Sequence, residues 1–239
     1  MYLQLSNLLK LKNAFKMGKN FHFDDNSTKL QSSAYRLYAT PVSSLPYINN
    51  VLVRSYLLDR PEGNIIIYNS SGIGKASDEI EKIGTSIGLF LNHHHEAMFG
   101  KQDLDVPIWI NEKDEQKANM PITNTFSTEQ KIGNDLEIIP TPGHTQGTTS
   151  FLWDNGEHRF LFPGDSIWFQ NGEWKAVVLG DSDRSAYLES LETMKKLDFD
   201  FIVPWGVEEG SPAGYAISKD QKIEIFDKII ERLEAGKNY

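Results

Sequence analysis

The chain contains no cysteine. Disulfide bonds, thiolate metal ligands and a cysteine nucleophile are therefore excluded. Any metal ion that this protein binds must be held by histidine, aspartate or glutamate side chains.

The sequence also lacks a long apolar run. No segment approaches the roughly 18 to 20 apolar residues that a membrane-spanning helix requires. Four lysines interrupt the apolar residues of segment 1–19, which argues against a secretory signal peptide. These absences predict a cytoplasmic protein that does not enter a membrane.

Positive charge is scarce, since 24 Lys and Arg residues face 33 Asp and Glu residues, for a net charge of −9. A surface of this sign repels the phosphates of nucleic acids and of anionic membranes. The composition therefore predicts that neither nucleic acid nor a membrane is a partner. It leaves the oligomeric state open.

The chain is long enough for one α/β domain, and its 39% hydrophobic and 24% charged residues are ordinary for a globular protein. No internal repeat or polar linker divides it. We expect a single domain over residues 35–239, preceded by an N-terminal extension, 1–34, whose helix at 3–17 packs on the body.

Two groups of β-rich segments are followed by late helices. The predicted strands are 35–42, 50–58, 64–68, 86–91, 106–110, 136–140, 148–153, 159–162 and 201–204. Helices are predicted at 76–83, at 185–197 and after Ser218, which forms a capping-box pattern with Gln221. This order predicts two sheets packed between helices, an αββα sandwich.

Three of the six histidines lie together in segment 92–96, which reads Asn-His-His-His-Glu where strand 86–91 ends. Side chains alternate between faces in an extended segment, so His93 and His95 are expected to point one way and His94 the other. Taken alone, such a pair is more often a polar surface pair than a metal site.

A fourth histidine, His144, follows Thr-Pro-Gly, whose glycine lets the backbone approach a site closely. Asp165 follows Pro-Gly at the end of an apolar strand, where a buried carboxylate needs a cation or several hydrogen bonds. Each residue alone could serve a loop, but together they predict a metal site of His93, His95, His144 and Asp165.

These motifs, spread over about 35–207, resemble the metallo-β-lactamase superfamily. Its signature reads Thr-His-x-His-x-Asp-His, then Pro-Gly-His-Thr, then Gly-Asp, then a late Pro-Gly-His. His93 and His95 match the first motif, His144 the second and Asp165 the third. The resemblance implies an α/β fold, an αββα sandwich of two mixed β-sheets flanked by helices. It also implies metal ligands on loops at one edge and hydrolysis by a metal-activated water.

The chain departs from this signature at the second metal. The signature Asp falls on Ala97, the next His on Met98 and the late His on Gly206. The resemblance therefore implies that three of the four protein ligands of a second metal are missing, which predicts a mononuclear site. Asn69 also replaces a carboxylate near the site by an amide.

The resulting hypothesis is a metal-dependent hydrolase of low or unknown activity. One zinc ion is held by His93, His95 and His144, while Asp165 orients or deprotonates the bound water. The substrate is a small molecule, namely an ester, thioester, lactone or phosphoester.

Two alternatives stay open. One is a non-catalytic ligand-binding or interaction module in which Met98 and Trp205 fill the space of the second metal. The other is an iron(II) enzyme that uses His93, His144 and Asp165, similar to the persulfide dioxygenases of the superfamily.

Other polar and aromatic residues receive weaker assignments. Three glutamates near the motifs are expected to be solvated, namely Glu96, Glu208 and Glu209. Four aromatic residues are candidates for a pocket wall or for core packing, namely Trp168, Phe169, Trp174 and Trp205.

Overall fold

The computed structural model describes residues 18–239, so the helix predicted at 3–17 lies outside the described residues. The strands are β1 Gln31–Ser32, β2 Leu37–Ala39, β3 Ser43–Ser44, β4 Val51–Val53, β5 Tyr56–Leu58, β6 Asn64–Ile67, β7 Ser86–Phe90, β8 Ile108–Asn111, β9 Asn124–Phe126, β10 Gln130–Ile132, β11 Leu136–Pro140, β12 Thr149–Asp154, β13 Arg159–Phe162, β14 Trp168–Gln170, β15 Glu173–Lys175, β16 Phe201–Ile202, β17 Gly206–Glu208 and β18 Tyr215–Ala216. The α-helices are α1 Gly72–Lys75, α2 Ser77–Ile83, α3 Glu112–Glu115, α4 Arg184–Lys196 and α5 Lys219–Glu234, and two 3₁₀ helices cover His94–Phe99 and Gly164–Ser166.

The first large sheet has the strand order β1-β2-β5-β6-β7-β8-β9. Strands β1, β2, β5 and β6 pair antiparallel, whereas β6, β7, β8 and β9 pair parallel, so the sheet is mixed. The central strand β6 is buried on both faces, as parallel strands usually are. Ile65 and Ile67 face the second sheet, whereas Ile66 packs with Ile73 and Ile80 of the covering helices.

The second large sheet has the order β10-β11-β12-β13-β16-β18, and it too is mixed because β13 and β16 run parallel. Alternation along β12 divides its side chains between two apolar layers. Phe151 packs in the core between the sheets, while Leu152 packs with Leu191 of α4 and Phe226 of α5. The predicted αββα sandwich is confirmed.

Short sequence patterns predicted the ends of several helices and strands correctly. The capping box at Ser218 is present, with Gln221 N–H donating to the serine hydroxyl and the glutamine side chain accepting from the serine backbone. Asp183 caps α4 by accepting from the backbone of Ala186. Strand 136–140 matches β11 at both ends.

Segment 50–58 is two strands rather than the single predicted one. Residues of β4 pair with β3 and β17 in a small separate sheet, while β5 pairs with β2 and β6. The chain changes sheets at Arg54 and Ser55, where the Ser55 backbone donates to the hydroxyl of Thr40. A continuous run of β-forming residues does not reveal such a crossing.

Residues 18–34 also contact the sandwich. Phe21 pairs through its backbone with Gly214, and its ring packs against Tyr35 and Phe201. The domain boundary at 34 and 35 stays a prediction.

None of the helices in the described part of the chain is both long and apolar enough to cross a membrane, and the cytoplasmic location stays a prediction.

Candidate metal centre

Three chain segments bring the four predicted residues together at one end of the sandwich. His93 and His95 follow β7, His144 follows β11, and Asp165 follows β13. The candidate ligand atoms of the three histidines all lie within 4.8 Å of one another. His95 Nδ1 is 3.1 Å from His144 Nε2, and Asp165 Oδ2 is 3.4 Å from His93 Nε2 and 3.8 Å from His144 Nε2.

The backbone that presents His95 is not extended as expected. His93 has extended dihedral angles, but a 3₁₀ helix begins at His94. The extended conformation was therefore predicted wrongly, although His93 and His95 do bring their ligand atoms to one cluster. His94 does not belong to the ligand cluster: its ring contacts that of His95 at a centroid distance of 4.2 Å, and its Nδ1 lies 3.1 Å from Asp114 Oδ2.

Hydrogen-bond acceptors orient two of the rings. His93 Nδ1 lies 3.0 Å from Asn92 Oδ1, and His144 Nδ1 lies 2.7 Å from the carbonyl oxygen of Val177. Because each acceptor requires a proton on Nδ1, the Nε2 lone pair of the neutral ring faces the centre. His93 Nε2 is buried, and its 3.4 Å contact with Asp165 Oδ2 does not have the geometry of a hydrogen bond.

The electrostatic environment favours a cation at the centre. Burial, reinforced by the other imidazoles, lowers the pKa of His95 to about 3 and that of His144 to about 4. Burial opposes charge on His93, but Asp165 and Glu96 raise its pKa to about 10. Burial also opposes charge on Asp165, yet His93 and His144 hold its carboxyl pKa below the ordinary value. A bound cation would replace the His93 proton beside Asp165.

This donor set fits zinc. His95 Nδ1 and His144 Nε2 face each other at 3.1 Å, so that either one proton or one shared cation can lie between them. Three imidazole nitrogen atoms with a nearby carboxylate are ligands that zinc accepts in a site with an open position.

Asp114 connects the two histidine segments and was missed in the sequence. Its buried carboxylate accepts hydrogen bonds from His94 N–H at 3.0 Å, from the Thr145 hydroxyl at 2.6 Å and from Gly147 N–H at 2.9 Å. Burial opposes the charge, but the contacts of His94 and Thr145 lower the Asp114 pKa to about 2. The residue lies in the charged run 112–115, which resembles an ordinary solvated turn.

Glu96 is fully buried, so the expectation that it is solvated was wrong. Its carboxylate accepts from the backbone N–H groups of Asn69 at 2.7 Å and Asn92 at 2.8 Å, and it lies 3.5 Å from His93 Nδ1. Burial raises its pKa, while the contact with His93 opposes that rise. Glu96 thus places a buried carboxylate beside Asn69.

The other two glutamates contribute nothing to the centre. Glu208 is half-buried and accepts from the backbone of Asn171, and Glu209 is exposed. Neither residue lines the cavity beside the histidines.

A cavity of about 460 Å³ opens beside His95, His144 and Asp165. The positions where the signature carries second-metal ligands also line it, namely Ala97, Met98 and Gly206. None of these side chains can coordinate a metal through nitrogen or oxygen.

The four aromatic candidates divide between cavity and core. Trp168 lines the cavity. Trp205 is buried against the His93 ring at a centroid distance of 5.5 Å and donates to the carbonyl oxygen of Asn69. Phe169 and Trp174 pack on each other at 5.4 Å and line no part of the cavity.

Comparison with solved structures shows the same fold. The class B3 di-zinc metallo-beta-lactamase LRA-12 from an Alaskan soil metagenome has 16% identity and a TM-score of 0.58, covering 91% of this chain and 99% of its own. GOB-18 from Elizabethkingia meningoseptica has 18% identity and a TM-score of 0.56, with coverages of 93% and 97%. DIM-1 metallo-beta-lactamase has 12% identity and a TM-score of 0.65, with coverages of 87% and 97%.

The family comparison agrees with the fold and with the histidine cluster. The sequence model of the metallo-beta-lactamase superfamily matches residues 88–207, just over half of the chain. This range includes all four residues predicted for the centre. The chain therefore belongs to the metallo-β-lactamase superfamily and has its hydrolase-like fold with a three-histidine cluster.

Proposed function

We propose that this protein is a metal-dependent hydrolase with a mononuclear zinc site, acting on a small-molecule substrate. The observation that carries the proposal is the convergence of His93, His95 and His144, whose candidate ligand atoms lie within 4.8 Å of one another. When bound, zinc supplies polarisation of a substrate carbonyl and lowers the pKa of water to about 7.

The chain's own residues provide orientation. Asn92 and the backbone of Val177 hold the rings of His93 and His144. Asp165 keeps its carboxylate ionised, with one-fifth of its side chain exposed beside the cavity. Asp165 Oδ2 therefore accepts a hydrogen bond from the attacking water and holds it between the rings and the substrate.

The side chains around the cavity support one metal rather than two. Ala97, Met98 and Gly206 offer no nitrogen or oxygen ligand. Glu96 is already engaged by two backbone N–H groups. Within residues 18–239, the three histidines form the only cluster of ligand side chains of this kind.

Elemental analysis of protein purified without added metal tests the ligand set. We expect close to one equivalent of zinc in the wild type, loss of the metal in His144→Ala and retention in His22→Ala, which removes an exposed histidine outside the cluster. A content below about a tenth of an equivalent in the wild type would refute the metal site. Iron would instead support the dioxygenase alternative.

Turnover of a panel of lactones, thioesters, carboxylic esters and phosphoesters tests catalysis with the same three proteins. We expect the wild type and His22→Ala to hydrolyse at least one class, and His144→Ala to fall to the uncatalysed rate. Equal background rates in wild type and His144→Ala would reject the hydrolase. That result, with a metal that raises only the melting temperature, would favour the non-catalytic module.

A further inference from the structure

The cavity beside the candidate metal centre is walled mainly by apolar side chains. Its apolar lining includes Leu45, Ile48, Val51, Trp168, Val177 and Leu179. Its volume of about 460 Å³ is within the range of small-molecule sites. The histidines and Asp165 lie at its edge, so a reacting group held there would leave the rest of the substrate against the apolar wall.

Exposed apolar side chains concentrate at this cavity. Among the described residues, Tyr47, Met98 and Leu179 are 67%, 43% and 42% exposed, and all three line it. Only Ile223 and Tyr239 are comparably exposed large hydrophobic residues elsewhere in residues 18–239. Such a concentration beside a polar centre is typical of a binding surface for an apolar group.

The charges in the cavity argue against a phosphoester. Lys117 is the only lysine or arginine that lines it, and its Nζ is already 3.9 Å from Asp181 Oδ2. The Asp165 carboxylate faces the same space. Besides a bound metal ion, a phosphoryl group would find only this one side-chain cation among the residues that line the cavity, whereas a neutral acyl group needs no further cation.

We infer that the substrate of this site is a carboxylic ester, thioester or lactone with an apolar acyl chain that lies along the wall of Leu45, Ile48 and Leu179. The inference rests on the proposed function and specifies its substrate class. In the reaction, the oxygen of water bonds to the acyl carbon and the bond to the alkoxide or thiolate breaks. One proton of the water passes to the leaving group and the other to solvent.

A chain-length series tests the inference. The probes are p-nitrophenyl acetate, butyrate, hexanoate and octanoate, with p-nitrophenyl phosphate as the charged alternative. Burial of one methylene group raises kcat/KM by up to about fourfold. The kcat/KM of the esters should therefore increase steeply with acyl chain length until the chain covers the apolar wall. Phosphate should be the poorest probe.

Two matched variants test whether the chain-length preference arises at the cavity wall. Leu179→Ser should lower the octanoate-to-acetate ratio of kcat/KM by about threefold or more, because it removes an apolar wall residue. Ile223→Ser changes a comparably exposed apolar residue on α5 outside the cavity and should keep the wild-type ratio. Turnover with a flat chain-length profile, or with phosphate preferred, would overturn the inference and leave the hydrolase proposal intact.

Calorimetric titration of metal-free protein with 1-octanol and ethanol, neutral probes that the Asp165 carboxylate does not repel, separates the two proposals. 1-Octanol should bind at least tenfold more tightly than ethanol, and Leu179→Ser should weaken 1-octanol alone. If this binding is present but no ester is turned over, the hydrolase proposal fails and the apolar specificity stands. If 1-octanol binds no better than ethanol, the apolar specificity is refuted.

Discussion

Replacement of Asp114 by asparagine tests whether this buried carboxylate holds the two histidine segments together. Three donors converge on it, from His94, Thr145 and Gly147. A hydrogen bond to a charged group contributes about 1.5–3 kcal/mol, and asparagine retains only one acceptor oxygen. The fall in the Asp114 pKa from 3.8 to about 2, which has the contacts of His94 and Thr145 as its cause, corresponds to roughly 2 kcal/mol of folding free energy. We therefore expect Asp114→Asn to lower the free energy of unfolding by about 2–4 kcal/mol at pH 7.

The assay is urea unfolding in the presence of a chelator, which removes any contribution of bound metal. Asp105→Asn, at an exposed position, is the control and should change stability by less than about 0.5 kcal/mol. Because the folded-state pKa of Asp114 is depressed, its contribution is complete above the unfolded-state pKa and is lost as the pH falls through about 2. The difference between wild type and variant should therefore shrink between about pH 4 and pH 2. A loss below about 1 kcal/mol at pH 7, or a difference that stays constant over that range, would refute this account.

Two further substitutions probe the centre. Glu96→Gln should weaken zinc binding by about 10- to 100-fold, measured in competition with a chromophoric chelator, because the Glu96 carboxylate beside His93 Nδ1 orients the His93 ring. Glu209→Gln, at an exposed position, should leave the zinc affinity unchanged. Equal affinities would show that Glu96 serves only the fold. Gly143→Ala should cost about 2–4 kcal/mol in urea unfolding, because φ is +145° and the new Cβ would lie 2.4 Å from Tyr187 Cα. Gly156→Ala, with φ of +90° and open space around it, should cost only about 1 kcal/mol, and equal losses would contradict the steric explanation.

Several elements were predictable because their causes are local. The capping box of Ser218 and Gln221 depends on residues three apart, and it begins α5 where the pattern indicates. An Asn-Gly pair is typical of a hairpin turn, and Asn155 and Gly156 lie in the short connection between the antiparallel strands β12 and β13. In both cases the interacting groups are neighbours along the chain, so their spacing carries the structural information.

The incorrect or missing predictions concern residues whose structure depends on contacts between distant parts of the chain. Segment 94–99 forms a 3₁₀ helix while Glu96 captures the N–H groups of Asn69 and Asn92. Asn69 is 27 residues away from Glu96, so no local pattern reveals that contact. Asp114 is likewise buried by His94 and Thr145, which come from other parts of the chain.

The sequence by itself determined which side chains are available to a metal, because the absence of cysteine leaves imidazole and carboxylate, and the motifs select His93, His95, His144 and Asp165. Only the tertiary structure decided that one nitrogen atom from each of His93, His95 and His144 lies near a common centre, with apolar side chains beside it. The physical reason is that burial and electrostatic contact depend on distances across the sheets. Those distances follow from packing, not from position along the chain.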